Sequence, residues 1–412
     1  MSVSGKQTGD ISVADISAGG NAPAPSFPHD GSPMTDSLSS RLARHPFFTP
    51  HADPESGVVS YILTERVAPY QTGLYFMNPS LRGSSEWLWF RVATPPDKQW
   101  RVCAVRLDPD RPEIRTFPHL RMTGNPWIDP TGEVAYVPQD NLLIRQHLDG
   151  TWEEELRIDA DLVNKRHLFL LCTNVSSSCD GKFFVFDSHV GDEFISWIHN
   201  RETGEQTVVH RFIRKMHHST FSLHDPELYF LHQGPGNDVY TGTRINIETR
   251  TWLMDIHGHR LEPLTPDLWF GHNAQNCHEW WTSEGKVQFC EYGSGIWEVD
   301  LATKQRELIW ARPSIHGQCT LDGTWLSCDE NTYAWSEQKP CSVWALHRPS
   351  GQEILVAGKL PDPPFGRTDW RAWHPDPHSH FSDDGQALIY TTSVLNTMNL
   401  AVSPVADWTL NP

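Results

Sequence analysis

The sequence predicts an all-β chain, a seven-bladed β-propeller of four-stranded antiparallel blades. Two observations carry this. A turn-then-strand pattern recurs seven times, and no stretch keeps a long helical period. The copies are SLRGSSEWLWFR (80–91), WIDPTGEVAYVP (127–138), SSSCDGKFFVFD (176–187), FSLHDPELYFLH (221–232), WTSEGKVQFCEY (281–292), CTLDGTWLSCDE (319–330) and FSDDGQALIYTT (381–392). Each joins a small or polar residue, a two-residue turn of Asp-Gly or Asp-Pro type (degenerate in the first), and a strand of alternating aromatic or β-branched residues. Glycine suits such turns because it takes positive φ freely. Turns near 84, 131, 180, 225, 284, 322 and 384 give steps of 38 to 62 residues, the period of a propeller blade. The longer steps leave room for insertions, including 234–242 and 359–370. A pair of β-sandwiches is the competing fold.

The first 45 residues are rich in Gly, Ser, Pro, Ala and Asp and read as a flexible tail, leaving 46–412 for the propeller. They hold no apolar core of a secretory signal. No run approaches the ~18 apolar residues of a membrane span. The expected location is therefore cytoplasmic, with no membrane partner. The eight cysteines form no Cys-x-x-Cys pair and read as buried free thiols. A net charge of -18 argues against nucleic acid as a partner, since phosphate binding needs a basic face. The chain reads as a monomer or homodimer.

Composition points toward a site. Histidine totals 22 against 33 Lys and Arg together, and imidazole is both a common metal ligand and the usual acid–base group near neutrality. Histidines cluster just before consecutive turns: His217 and His218; His272, Gln275 and His278; His316; and His374, Asp376, His378 and His380. In a propeller, residues leading into equivalent strands point to one end of the channel. Ligands drawn from different blades, with imidazole and oxygen donors, favour an open metal site suited to Mn, Zn, Ni or Fe. His278, His374, Asp376 and His378 are the candidate ligands. A single histidine beside a strand is ordinarily a surface or hydrogen-bonded residue; the recurrence at one phase of four blades is what singles these out. Among the arginines, Arg244 and Arg214 are candidates for an anionic substrate, because guanidinium binds carboxylate in a fork.

The segments HSTFSLHDPELYFLHQGP (218–235), CHEWWTSEG (277–285), HGQCTLDG (316–323) and DPHSHFSDDG (376–385), with LYFMNPS (74–80), resemble the oligogalacturonate lyases and more distantly the ulvan-type lyases. The segments keep their order over about three quarters of the chain. The resemblance implies a seven-bladed propeller that cleaves a uronate-containing oligosaccharide by β-elimination with a divalent metal, Mn2+ first. It implies His218 as catalytic base, with His217 and Arg244 beside it, and His278 and His378 as ligands. His272, Gln275, His316 and Arg214 are read as substrate contacts, and His380, at a serine-like position of the family pattern, as a substrate contact or a support behind the ligands. The family's last cluster reads Gln-x-x-His-Pro-His-Pro-Ser-Phe. Here Asp376 stands in place of its first histidine and Trp373 in place of its glutamine. The family's catalytic arginine has no unambiguous counterpart here. A propeller glycosidase and a non-catalytic glycan- or protein-binding propeller are the alternatives.

Overall fold

A computed structural model of the chain describes residues 36–83, 85–234, 236–237, 241–245, 249–265, 276–330, 341–362, 373 and 376–410. The chain forms seven successive antiparallel sheets, the blades of a β-propeller. Blade 1 runs through Tyr70–Thr72, Trp87–Ala93, Arg101–Arg106 and Ile114–Thr116, and blade 2 through Trp127–Ile128, Val134–Gln139, Leu142–His147 and Trp152–Arg157. Blade 3 uses Ser176–Ser177, Phe183–Val190, Glu193–Asn200 and Gln206–Phe212, with Leu168–Leu170 also paired to its second strand. Blade 4 uses Met216–Phe221, Leu228–Gln233, Thr251–Asp255 and Leu261–Pro263. A small hairpin, Gly236–Asn237 with Arg244–Ile245, is inserted between its second and third strands. Blade 5 comprises Asn276–Trp281, Val287–Glu291, Gly295–Val299 and Arg306–Trp310. Blade 6 comprises Ser314–Cys319, Trp325–Glu330, Cys341–His347 and Gln352–Leu360.

The seventh blade closes the ring with both ends of the chain. His380–Phe381, Ala387–Thr392 and Asn399–Pro404 are joined by Val59–Leu63 and Phe48–Ala52, through Tyr61 opposite Val402 and Ile62 opposite Ala401. A barrel-like ring closed this way leaves no open edge between the first and last blades. The helix Leu38–Arg44 precedes it, inside the stretch read from composition as tail. Ser37 caps it by accepting from the Ser40 N–H, and Leu42 is fully buried beside Phe48 and Leu63. Leu38, partly buried against the same cluster, completes the apolar face that docks this short capped helix.

The repeated turn connects the first strand of a blade to the second, and it is longer than a two-residue hairpin. In five blades a glycine N–H returns to the carbonyl three residues back: Gly132 to Asp129, Gly181 to Ser178, Gly285 to Thr282, Gly323 to Thr320 and Gly385 to Ser382. These glycines have φ between 68° and 76°, so the turn ends in a left-handed residue. The small polar residue opens it. Ser178, Thr320 and Ser382 take the N–H of Phe183, Trp325 and Ala387 on their hydroxyls while bonding the turn aspartate. A side-chain acceptor thus replaces a ladder bond, which explains why the motif reads Ser/Thr-x-Asp-Gly. Between blades the packing is apolar and aromatic. Phe186 lies flat on Trp197 at 4.2 Å between ring centroids, inside a cluster that joins blades 2 and 3.

Candidate metal centre and catalytic cleft

Three first strands carry the same irregularity. Pairing with the second strand shifts register between His217 and Thr220, between Cys277 and Trp280, and between Ser314 and Gly317. Each shift is a bulge that turns a side chain out of the ladder. His218 and His278 sit in two of these bulges with φ of 57° and 55°, and His378, leading into blade 7, has φ 48°. A left-handed residue with a side chain costs roughly 1–2 kcal/mol, so something must hold it. The preceding blade does. Thr173 Oγ1 accepts the His218 N–H at 2.7 Å, and Asp187 accepts the Ser219 N–H at 3.2 Å. Asp329 accepts the His378 N–H at 3.1 Å.

The histidines converge. Ligand atoms of His316, Asp376 and His378 all lie within 4.8 Å of one another. The His316 ring is 4.3 Å from His378 and 4.0 Å from His278, centroid to centroid. Asp329, fully buried, takes both the His316 backbone N–H at 2.8 Å and its Nδ1 at 2.9 Å. That fixes Nε2 as the nitrogen turned to the group. The same logic applies to His278, whose Nδ1 bonds the Ile315 carbonyl at 2.6 Å. Tyr75 and Phe76, from the connection after the first strand of blade 1, floor the cluster. Tyr75 lies 5.0 Å from His378 and 5.4 Å from His218; Phe76 lies 5.6 Å from His278. Burial pushes the Asp376 carboxyl up to about 6, opposed by His316, and holds His278 well below the usual imidazole range, helped by His316. Imidazoles and a carboxyl group from separate elements form a donor set that fits a divalent first-row ion.

A cleft of about 430 Å³ opens beside this group, lined in part by Tyr75, Arg91, His217, His218, Arg250 and His278. His217 and His218 are 4.4 Å apart, and His218 is 5.5 Å from His232. His232 Nε2 meets Glu279 Oε2 at 2.8 Å with both side chains fully buried. Thr251 bonds the other Glu279 oxygen, and Arg250 Nε lies 3.9 Å from it. Burial alone would raise the Glu279 carboxyl; His232, Arg250 and Thr251 outweigh it and hold it near 2. Burial lowers His217 well below its usual range, with His218 and Arg250 adding to the effect. Gly234 closes over His217: a Cβ there would stand 2.5 Å from Nε2, so no larger residue fits without displacing the ring. Arg91 is buried under Trp100, 4.7 Å from its ring, and desolvation brings it down to about 10.

No sequence-family profile matches the chain, and no curated protein matches it. Solved structures do. An oligogalacturonate lyase in complex with manganese superposes with TM-score 0.69 at 16% identity, covering 87% of this chain and 96% of that one. An oligogalacturonate lyase from Vibrio parahaemolyticus superposes with TM-score 0.70 at 14% identity, covering 87% and 97%. The chain has the fold of the oligogalacturonate lyases.

On that fold, the residues singled out in the sequence separate into three groups. His217, His218, His278, Asp376 and His378 meet at the cleft and the ion-sized group. His316, read in the sequence as a substrate contact, lies in the same candidate ligand group, because Asp329 turns its ring inward. His380 is fully buried, with Nε2 on Ser80 Oγ at 2.7 Å and Nδ1 on the His378 carbonyl at 2.8 Å. It braces the loop that presents His378. Arg214 is half-buried and does not line the cleft. Arg244 lies in the inserted hairpin of blade 4, its side chain outside the description, and His272, Gln275 and His374 fall outside the described residues. Sequence reasoning missed Arg250, Arg91, Tyr75, His232 and Asp329. Tyr75 carried a signal inside LYFMNPS, and His232 inside HSTFSLHDPELYFLHQGP. Among the described residues no helix is long and apolar enough to cross a membrane, and all eight cysteines are free.

Proposed function

We propose that this chain is a divalent-metal-dependent lyase that cleaves uronate-containing oligosaccharides by β-elimination, with Mn2+ the first candidate ion. The observation that carries the reading is the grouping of His316, Asp376 and His378 beside a cleft lined by His218, Arg250 and His278, with His278 4.0 Å from His316. Likeness of fold to the two oligogalacturonate lyases supports it. His316, Asp376 and His378 would hold the ion, with His278 against them. When bound, the ion supplies positive charge to the substrate carboxylate, acidifying the proton on the adjacent carbon.

The chain's own groups perform the rest. Arg250 faces the cleft and binds the same carboxylate through its planar fork. His218, kept among other imidazoles, takes the C5 proton as general base. The His232 ring lies 5.5 Å from that of His218 and carries the buried Glu279 carboxylate at 2.8 Å from its Nε2, a negative charge behind the base that favours the imidazolium that results. Burial raises the Tyr75 phenol well above its usual range, so it stays protonated and can give its proton to the departing O4. Elimination needs no attacking water, hence no pair of glycosidase carboxylates.

The test is incubation of metal-stripped and Mn2+-loaded protein with galacturonate and glucuronate oligomers. Ultraviolet absorbance of the 4,5-unsaturated product is expected with metal and absent with chelator. In His218→Asn, which tolerates the left-handed backbone, the rate falls by about 10²–10⁴. New reducing ends without that absorbance would replace the lyase by a hydrolase. Saturable glycan binding without either would leave a non-catalytic propeller.

A further inference from the structure

The catalytic cleft has a neighbour. A second cavity of about 570 Å³ lies at blades 2 and 3, lined among others by Arg157, Lys165, Arg166 and Leu168. The two cavities share one strand. Leu168 lines the second cavity and Leu170 lines the catalytic cleft, at opposite ends of the three-residue strand Leu168–Leu170. Phe169 lies between these two residues in the strand, 59% exposed, and lines neither cavity.

Singly exposed aromatics are common on protein surfaces. This one is held. Its ring lies on His189 at 4.7 Å and 29°, and His189 lies on Phe194 at 4.3 Å and 11°. His167 abuts it edge-on at 4.4 Å. The stack fixes the plane of Phe169 and leaves its outer side to solvent. A flat, pre-oriented aromatic face suits the C–H-rich face of a pyranose ring, with little side-chain freedom left to lose on binding.

One cation beyond the platform is not paired to a carboxylate among the described residues. Arg157 is paired with Glu154, and Arg166 with Asp192 and Glu193. Lys165 is exposed, at the tip of the ordered 159–166 loop, and has no ion-pair partner among the described residues. The Asp159 carboxylate in the same wall is turned to the Asp161 N–H at 2.8 Å.

We infer that the strand Leu168–Leu170 carries a distal sugar subsite: Phe169 stacks a sugar ring of an acidic oligosaccharide that leaves the catalytic cleft over Leu170, and Lys165 meets the carboxylate of a uronate beyond it. The inference rests on the lyase reading and deepens it, since it makes the substrate a chain of several uronates.

The test compares defined galacturonate oligomers. The wild type is expected to favour the hexamer over the dimer in kcat/KM. Phe169→Ala and Lys165→Ala each shrink that preference about five- to tenfold. Phe169→Tyr and Lys165→Arg restore it. Calorimetric binding of the hexamer to His218→Asn, with and without Phe169→Ala, reads the subsite without catalysis, and a neutral hexasaccharide checks the charge requirement. A hexamer-to-dimer preference unaltered by either substitution overturns the inference, as does an equal loss of affinity for both lengths. Failure of the lyase reading looks different: no unsaturated product from any uronate oligomer, while the calorimetric difference between the two proteins still reports the subsite.

Discussion

Replacing Asp329 by asparagine isolates the support of the proposed metal centre from the centre itself. Asp329 is fully buried on the second strand of blade 6 and accepts three N–H groups: the His316 backbone at 2.8 Å, His316 Nδ1 at 2.9 Å and the His378 backbone at 3.1 Å. The first falls on Oδ1 and the other two on Oδ2. An amide keeps a single oxygen. In either orientation its NH2 opposes at least one buried N–H, a cost of about 1–3 kcal/mol per stranded group. With the NH2 toward the ring, Nδ1 must become an acceptor, and the imidazole proton moves to Nε2, the nitrogen turned to the ion. Loss of such a supporting carboxylate typically weakens metal binding 10–100-fold, about 1.4–2.8 kcal/mol. Calorimetric titration of Mn2+ into metal-stripped wild type and D329N measures it, with far-ultraviolet circular dichroism to confirm that the blades are intact. A folded D329N whose Mn2+ Kd stays within a factor of two of wild type would refute the reasoning.

Three further outcomes follow from the same geometry. Arg250→Lys keeps the charge but loses the fork, so kcat/KM on uronate oligomers is expected to fall about 10–100-fold, read by steady-state kinetics; an unaltered value would remove Arg250 from the carboxylate. His199, buried in blade 3, is depressed to about 4 by desolvation and by Arg201. A depressed histidine contributes stability above its unfolded value of 6.5 that is lost as pH falls toward 4, about 2 kcal/mol of it by pH 5. His199→Phe should therefore lose less stability than wild type between pH 7 and pH 5 in urea titrations, and equal slopes would contradict this. At His218, glycine should be more stable than alanine by about 1 kcal/mol in the same assay, because φ is 57° there; in an ordinary strand the order is reversed.

How much of this was legible depended on distance along the chain. The blade turns were, because Ser178, Asp180 and Gly181, or Ser382, Asp384 and Gly385, satisfy one another within a few residues. The closing strands were not, since Tyr61 meets Val402 across most of the chain and nothing local marks it. The same division runs through the site. His218, His278, Asp376 and His378 stood out because a repeated phase put chemistry in one place of each blade. Asp329 did not, because in LSCDE it reads as one more polar residue of an alternating strand, and its partners lie on the first strand of its own blade and the loop into the next. Arg250 was hidden by the insertion before it, which carries Arg244 and drew the sequence argument there.

The bulges account for why the site needed those distant partners at all. A first strand in regular register alternates its side chains between the two faces of the blade and gives its N–H groups to the ladder. His218 and His278 break that register at equivalent places, and His378 repeats the left-handed turn at the head of blade 7. Each such turn costs about 1–2 kcal/mol of backbone strain and releases N–H groups that burial would leave unsatisfied. The propeller offers a remedy that a single sheet lacks, because the second strand of the preceding blade packs against the bulge. Thr173 and Asp187 reach from blade 3 into blade 4, and Asp329 from blade 6 toward blade 7, to take those N–H groups. Asp329 does this while also orienting His316, so one carboxylate both relieves the strain at one imidazole and aims the next. A polar residue on the second strand of a blade, one step before a left-handed histidine, is therefore part of the site although it touches nothing in the cleft.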